Sequence, residues 1–287
     1  MKIARSKAEL RAALEAARRN GTTIGLVPTM GYLHDGHLSL LRAARARCDL
    51  VVMSLFVNPT QFGPSEDLAS YPRDESRDLE LAERAGVDVV FAPAVDTVYP
   101  EGFATAVEVG GGLTDVLDGA SGQRGAAHFR GVTTVVAKLF NSVGPDVAYF
   151  GQKDAQQAIV IRRMVRDLDF PVEIEVLPTV REPDGLAISS RNAYLDPGDR
   201  QRAAGLSRAL RAAETVAASG EDRIEPALEA ARAELERAGI EAEYLEARDP
   251  ESLAAVETLN ARPVLIAVAA RVGAARLIDN TLIGGSA

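Results

Sequence analysis

The sequence predicts an α/β fold: a parallel-sheet domain over residues 1–182, followed by a smaller α+β domain over residues 183–287. Two observations lead to this prediction. Apolar stretches without polar alternation, such as LVVMSLFV at 50–57, are typical of parallel strands covered on both faces. These stretches alternate with helical segments up to about residue 182, whereas two alanine-rich helices precede the last strands.

The elements of the first domain are delimited by capping and turn residues. Ser6-x-x-Glu9 is a capping box that opens a helix, which ends at Asn20-Gly21. Apolar residues between 132 and 143 recur at helical spacing, whereas the glycine-containing stretch 118–128 is expected to be a loop. Strands are predicted at 23–27, 50–57, 87–91, 105–109, 147–150 and 172–177, and further helices at 37–47, 75–85, 132–143 and 155–167.

The second domain begins with a turn at Pro183-Asp-Gly185 and a strong helix start. Asp196 is a capping residue, and Pro197 occupies the first helical position. Two helices are expected to end at Gly220 and Gly239. Strands are predicted at 243–247, 264–270 and 275–278.

Composition excludes several classes of protein. The 287 residues carry a net charge of −9, so a general nucleic-acid binder is not expected and any anion site must be local. The only cysteine, Cys48, cannot form an internal disulfide and is predicted to be a packed core residue. The sequence shows no signal peptide and no apolar run long enough to cross a membrane, so we expect a cytoplasmic protein.

The motif that carries most functional information is His34-Asp-Gly-His37, which lies between a predicted strand and the start of the next predicted helix. Helix N-termini bind anions, because their backbone N–H groups and dipole point at the ligand. Two imidazoles in the first helical turn can donate hydrogen bonds to phosphate oxygens as charge develops during phosphoryl or nucleotidyl transfer. Structural hydrogen bonding by both histidines is the alternative interpretation.

Three further groups of residues are weaker signals, each compatible with an ordinary surface or capping role. Gly151-x-Lys153-Asp154 repeats the arrangement of a loop between a strand and a helix, and it could contact phosphate and ribose. Ser189-Ser190-Arg191 follows the Pro-Asp-Gly turn and could act as a mobile phosphate clamp. Gln61 and Gln157 could bind a small hydroxy acid, whereas a structural role is expected for His128.

Six ordered blocks resemble the pantoate–β-alanine ligase family of the H-x-G-H nucleotidyltransferase superfamily. The resemblance runs through nearly all of the first domain and into the second. The blocks are VPTMGYLHDGH at 27–37, FVNPTQFG at 56–63, YPR at 71–73, HFRGV at 128–132, FGQKDAQQ at 150–157 and VREPDGLAISSRNAYL at 180–195.

The resemblance implies a Rossmann-like first domain that binds ATP and pantoate, a C-terminal lid domain and a homodimer. It implies that pantoate attacks the α-phosphate of Mg-ATP to give a pantoyl adenylate and pyrophosphate. The amine of β-alanine then displaces AMP. ATP is a substrate that carries Mg²⁺ on its phosphates, and no metal ligands are expected among the side chains.

The resemblance also implies a role for each matching residue. His37, His34 and Lys153 are the implied catalytic residues, and Gln61 and Gln157 are the implied pantoate and β-alanine ligands. The implied ATP-binding residues are Met30, Gly31, Tyr32, Leu33, His34, Asp35, Gly36, His37, Gly151, Gln152, Lys153, Asp154, Val180, Ile188, Ser189, Ser190 and Arg191.

Departures from the family pattern are confined to a few positions. Gln152 stands where many members have Glu, Ile188 stands where Met is usual, and the loop before His128 is longer. One alternative is another H-x-G-H adenylyltransferase with a different acid or a phosphate as acceptor. A second is a catalytically silent nucleotide-binding protein, against which the presence of both histidines, Lys153 and the Ser-Ser-Arg triplet argues.

Overall fold

A computed structural model of the chain describes residues 1–63, 68–120, 124–259 and 262–284, which pack as two compact units. The first unit contains Met1–Gly151 and Gln157–Pro178. The second contains Gln152–Gln156 and the chain from Thr179 onward. The second unit therefore starts four residues before the boundary placed after residue 182, and it also includes a short segment from the middle of the chain.

The described part of the first unit forms a six-stranded parallel sheet, which confirms the predicted α/β fold. The spatial order is β1-β4-β3-β2-β5-β6, so the chain leaves β2 toward β3 on one side and later returns to β5 on the other. Such a reversal of strand order marks the place where open α/β sheets bind ligands. The strands are β1 (Lys2–Ala4), β2 (Ile24–Thr29), β3 (Leu50–Leu55), β4 (Val89–Phe91), β5 (Val147–Gly151) and β6 (Glu173–Leu177).

Helices connect these strands, and their sequence signals are reproduced in three dimensions. The Ser6 capping box is present, and Gly144 ends the longest helix of this unit in a left-handed conformation with φ of 58°. Cys48 is buried in the core, as predicted. The helices are α1 (Lys7–Arg19), α2 (Asp35–Arg47), α3 (Glu75–Arg84), α4 (Val95–Val98), α5 (Gly125–Val143) and α6 (Ala155–Asp167).

The strand predicted at 105–109 is wrong, because residues 103–110 form no strand. Two hydroxyls of α5 take the place of a neighbouring strand. The backbone N–H of Val107 donates to Thr134 Oγ1 at 3.0 Å, and Thr133 Oγ1 donates to the carbonyl of Val107 at 2.6 Å. The expected loop at 118–128 is shortened by α5, which begins at Gly125; residues 121–123 of that loop lie outside the described residues.

The second unit has the predicted α+β composition. Its described residues include two long helices and an antiparallel three-stranded sheet in the order β7-β8-β9. Asp196 caps the first of these helices by accepting from the backbone N–H of Asp199 at 2.7 Å, as predicted. The elements are α7 (Pro197–Ala218), α8 (Glu225–Arg237), β7 (Ala242–Arg248), β8 (Val264–Val272) and β9 (Ala275–Ile283).

In the described ranges, none of the helices combines the length and the apolar character that crossing a membrane requires.

Candidate active site

The two histidines of the H-x-G-H motif lie side by side at the amino end of α2. His34 is the capping residue, and its backbone N–H donates to His37 Nδ1 at 3.4 Å. The ring centroids are 4.0 Å apart. Gly36 allows this arrangement, because a Cβ at that position would lie 3.0 Å from atoms of the His34 ring. The pair therefore stands beside the backbone N–H groups of a helix terminus, where an anion is stabilised.

The loop between β2 and these histidines is held by one carboxylate from α3. Asp78 accepts hydrogen bonds from the backbone N–H groups of Tyr32 and Leu33, both at 2.7 Å. Tyr32 has a φ of 52°, and the preceding Gly31 has a φ of 84°. A non-glycine residue in this conformation is strained. The two bonds to Asp78 stabilise that conformation.

Asp78 is only 1% exposed, so it holds the loop from inside the protein. Burial raises the pKa of its carboxyl group, although the backbone bonds from Leu33 and Tyr32 and the charge of Arg77 act in the opposite direction. Gly31 packs tightly against the same carboxylate, since a Cβ there would lie 2.8 Å from Asp78 Oδ2 and 2.7 Å from Leu55 Cδ1. The conformation of the loop is thus fixed by a buried charge and by close packing.

Gln61 lies in a 3₁₀ turn, Pro59–Gln61, that follows β3. Its amide nitrogen lies 3.2 Å from Met30 Sδ, so the structure brings these two predicted site residues together. Asn58, which is 1% exposed, donates to Gln61 Oε1 at 3.1 Å and to the carbonyl of Gly131 at 3.1 Å. Its own oxygen accepts from the Tyr99 hydroxyl at 2.7 Å. Asn58 therefore orients the Gln61 side chain.

His128 lies next to the backbone of Gln61 and the side chain of Arg124. Its Nδ1 lies 2.6 Å from the carbonyl oxygen of Gln61, and its Nε2 lies 3.3 Å from Arg124 Nη1. A carbonyl can only accept and a guanidinium can only donate, so Nδ1 carries the proton and Nε2 accepts. The neutral imidazole of His128 fixes the backbone of Gln61.

Two further predicted residues of the first unit lie at and after the end of β5. Gly151 is the last residue of β5, which is the neighbour of β2 in the sheet. Apart from its chain neighbours, none of the described residues has an atom within 4 Å of the position that a Cβ would take at Gly151, so the backbone is approachable there. Gln157 is half-buried in the first turn of α6.

In the second unit, Gln152, Lys153 and Asp154 form a 3₁₀ turn. The ammonium group of Lys153 lies 3.9 Å from Asp154 Oδ2. Asn280 on β9 donates to the carbonyls of Gln152 and Lys153, both at 2.9 Å. Its side-chain oxygen accepts from Gln152 Nε2 at 2.9 Å. The departure from the family pattern at Gln152 is therefore accommodated by an amide–amide hydrogen bond.

The segment that carries the predicted phosphate clamp also belongs to the second unit and folds as a narrow hairpin. The backbone N–H of Ile188 donates to the carbonyl of Val180 at 3.0 Å. Ser189 caps a 3₁₀ turn, Ser190–Tyr194, and accepts from the backbone N–H of Arg191 at 3.3 Å. The hairpin turns at Gly185, where φ is 93°.

Arg181 anchors this hairpin to β9. It makes two hydrogen bonds to Asp279, at 2.6 and 3.0 Å, and a third to the carbonyl of Gly185 at 3.1 Å. Although burial lowers the pKa of Arg181, the hydrogen bond and the charge of Asp279 raise it overall. The guanidinium group is therefore charged, and the Asp279 side chain that pairs with it is only 2% exposed.

Sequence reasoning did not identify Asp78, Asn58 or Asn280 as parts of the site. Asp78 lies within a charged helical segment, and Asn280 lies in a strand without a motif. Only Asn58 had a usable signal, since it follows directly on an apolar strand and precedes proline. The other two act on backbone groups far away in the sequence, and local patterns do not report such contacts.

Known proteins resemble this chain in both sequence and structure. The family model described as pantoate-beta-alanine ligase matches residues 2–282. The pantothenate synthetase of Moorella thermoacetica is 55% identical over 284 residues, which cover 99% of both chains. Among solved structures, the pantothenate synthetase of Thermus thermophilus is 50% identical with a TM-score of 0.91, and the match covers 98% of this chain and 99% of that one.

A third relative was solved with ligands. The pantoate-beta-alanine ligase of Francisella tularensis, complexed with beta-gamma ATP and beta-alanine, is 34% identical with a TM-score of 0.81. The match covers 98% of this chain and 97% of that one. Matches of this extent and identity span both units of the chain. The chain belongs to the pantoate-beta-alanine ligase family.

Proposed function

We propose that the chain condenses (R)-pantoate with β-alanine to form pantothenate, consuming ATP and releasing AMP and pyrophosphate. Membership of the family over residues 2–282 supports the overall reaction. The observation that carries the mechanism is the pair of imidazoles, His34 and His37, at the amino end of α2. Such a pair beside helix N–H groups suits an attack on phosphorus, where negative charge builds up on oxygen.

Two steps are needed, because a carboxylate and an amine do not condense in water at neutral pH. In the first step a pantoate carboxylate oxygen forms a bond to the α-phosphorus of ATP. The bond from that phosphorus to the bridging oxygen breaks, giving pantoyl adenylate and pyrophosphate. In the second step the neutral amine of β-alanine attacks the acyl carbon. The bond to AMP breaks and the nitrogen loses a proton.

His37 is assigned to the charge that develops on the transferred phosphate, and His34 and Lys153 are assigned to the remaining phosphate oxygens. The loop held by Asp78 presents backbone groups to ATP. The other assigned nucleotide contacts are Met30, Gly31, Tyr32, Leu33, Asp35, Gly36, Gly151, Gln152, Asp154, Val180 and Ile188.

Gln61 and Gln157 are assigned to pantoate, and Gln61 also to β-alanine. An amide both donates and accepts, so it can orient the carboxylate and the hydroxyls of pantoate. Because the amide is neutral, it does not bind the carboxylate so strongly that nucleophilicity is lost. The bonds from Asn58 and the support of His128 keep the Gln61 amide in a defined orientation.

The adenylate intermediate reacts readily with water, so a cover that excludes water is expected. We assign this function to the second unit as a hinged lid, with Ser189, Ser190 and Arg191 as a phosphate clamp. We further propose a cytoplasmic homodimer without nucleic-acid or membrane partners. The net charge of −9 supports the first of these exclusions, since it repels the phosphate backbone.

Mg²⁺ is assigned to the phosphate oxygens of the nucleotide. The described residues contain no cluster of three or more His, Cys, Asp or Glu side chains placed to hold a metal ion. Mg²⁺ prefers substrate phosphates and water over an all-protein site. In this position it supplies charge neutralisation for the departing pyrophosphate.

The deciding experiment is isotope exchange. We expect labelled pyrophosphate to enter ATP when pantoate is present and β-alanine is absent, because the first step is reversible and needs only pantoate. Exchange that is equally fast without pantoate contradicts the proposal. Exchange that requires a different acid identifies the chain as another H-x-G-H adenylyltransferase.

Substitution of His37 tests the residue that carries the mechanism. His37→Ala is expected to lower the exchange rate by about 10²–10³, which is the typical effect of removing one donor to a developing oxyanion. Arg42→Ala, an exposed position on the same helix, serves as the control and is expected to keep the wild-type rate. Single-turnover adenylation by His37→Ala at the wild-type rate would exclude this role.

A further inference from the structure

Two neighbouring residues of β9, Asp279 and Asn280, are polar and almost completely buried, with exposed fractions of 2% and 4%. Buried polar side chains of this kind are stable only when their hydrogen-bonding groups have partners. Both residues bond to side chains or carbonyls outside the sheet. Because successive side chains of a strand point to opposite faces, the two reach different segments of the second unit.

Asn280 uses its whole amide group on the turn 152–154. The NH₂ group donates to the carbonyls of Gln152 and Lys153, both at 2.9 Å. The side-chain oxygen accepts from Gln152 Nε2 at 2.9 Å. The orientation of the amide is therefore determined, since the two carbonyls can only accept. Among side chains of this size, only an amide donates two hydrogen bonds and also accepts one.

Asp279 holds the hairpin that leads into the predicted phosphate clamp. Its carboxylate forms the two bonds to Arg181 at 2.6 and 3.0 Å, and it also accepts from the backbone N–H of Asn280 at 2.8 Å. Arg181 in turn bonds to the carbonyl of Gly185 at the tip of the hairpin. A bidentate hydrogen bond between a guanidinium and a carboxylate fixes their relative orientation as well as their distance. The hairpin that leads into Ser189–Arg191 is thus tied to the residue next to Asn280.

We infer that Asp279 and Asn280 are positioning residues that join the Lys153 turn and the clamp hairpin into one body. The inference rests on the proposed function, in which Lys153 and Arg191 bind the phosphates of ATP. It also explains why residues 152–156 pack with the second unit although they follow a strand of the first. Lys153 is held by β9, as is the hairpin that carries the clamp.

The test is Asn280→Asp, which keeps the shape of the side chain but turns a carboxylate oxygen toward the two carbonyls. We expect kcat/KM for ATP in pantoate-dependent exchange to fall about tenfold or more, because a small displacement of a phosphate ligand is costly. The KM for pantoate should stay unchanged. Leu282→Ala is the matched control, since Leu282 lies on the same strand and is 47% exposed.

A double-mutant cycle separates positioning from a general structural effect. If Asn280 acts through Lys153, Asn280→Asp should change the rate little in a Lys153→Ala background. Equal fold-losses in both backgrounds would overturn the inference, as would an equal increase in the KM for pantoate. Should Asn280→Asp fail to fold, Arg181→Lys loses the bidentate bond to Asp279 at a half-buried position that is not an assigned nucleotide contact. It is then expected to raise the KM for ATP, and an unchanged KM would overturn the inference.

The two proposals fail in different ways. If wild-type protein shows no pantoate-dependent exchange, the proposed function is wrong. If wild-type protein exchanges and Asn280→Asp matches it at every ATP concentration, only the positioning role is wrong.

Discussion

Replacement of Gly131 by alanine is expected to displace the turn that carries Gln61. Gly131 lies within α5, where alanine would normally stabilise the helix by up to about 1 kcal/mol. Here a Cβ would lie 2.3 Å from the carbonyl oxygen of Thr60, 2.5 Å from its carbon and 2.7 Å from the backbone nitrogen of Gln61. All three atoms belong to the backbone, so no rotamer change relieves the overlap.

The size of the effect follows from these distances. Non-bonded heavy atoms pack at about 3.5 Å or more, so the turn or the helix must move by about 1 Å. Overpacking of this kind costs about 1–3 kcal/mol or more, which outweighs the gain in helix propensity. The melting temperature is expected to fall by several degrees, since about 1 kcal/mol corresponds to about 2–4 °C for a unit of this size. The bond from Asn58 to the carbonyl of Gly131 is strained at the same time.

The functional consequence is measured as the KM for pantoate in pyrophosphate exchange, which should rise by about tenfold or more. Gly110→Ala is the matched control, because within the described ranges no atom beyond its chain neighbours lies within 4 Å of the Cβ position. Wild-type values for both the melting temperature and the KM of Gly131→Ala would refute the reasoning. A lower melting temperature with an unchanged KM would show that the turn does not position a pantoate ligand.

Two further substitutions test the histidine loop. Asp78→Asn leaves one of the two backbone N–H groups without its acceptor, so the exchange rate should fall. Burial raises the pKa of Asp78 above 3.8, so the folded state holds this proton more tightly than the unfolded state does. The stability that results is present at low pH and is lost as pH rises through the folded-state pKa. The stability of Asp78→Asn relative to wild type, from urea unfolding, should therefore increase with pH in that range; a constant difference would contradict this reasoning. Gly36→Ala places a Cβ 3.0 Å from the His34 ring, so exchange should fall about tenfold without loss of thermal stability, and unchanged exchange would argue against the ring contact.

Much of the fold could be predicted, because its signals are local. The capping box at Ser6, the glycine at 144 and the apolar strands at 50–57 and 147–150 each specify one element without help from the rest of the chain. The three-residue strand β1 was missed, since it is too short to show a pattern. The predicted strand at 105–109 failed because hydroxyls on α5, 26 and 27 residues later in the sequence, satisfy the backbone of Val107.

The same distinction between local signals and long-range contacts applies to the residues of the candidate site. The histidine pair could be found from its spacing and its place after a strand, and Gln61 from its place in a loop that follows one. Asp78 and Asn280 could not be found, because each acts on backbone groups 45 to 128 residues away. Neither composition nor hydrophobic periodicity indicates hydrogen bonds between a side chain and a backbone group so far away in the sequence.

The residues that could not be identified from sequence motifs share one physical function. Asp78, Asn58 and Asn280 are each buried, and each bonds to the backbone of a segment that carries candidate site residues. Removing one partner from such a bond leaves a buried polar group unsatisfied, at a cost of about 1–3 kcal/mol. The segments are therefore ordered by the protein itself before any ligand arrives. A loop ordered in advance loses little conformational entropy on binding, so more of the binding energy is available to the transition state.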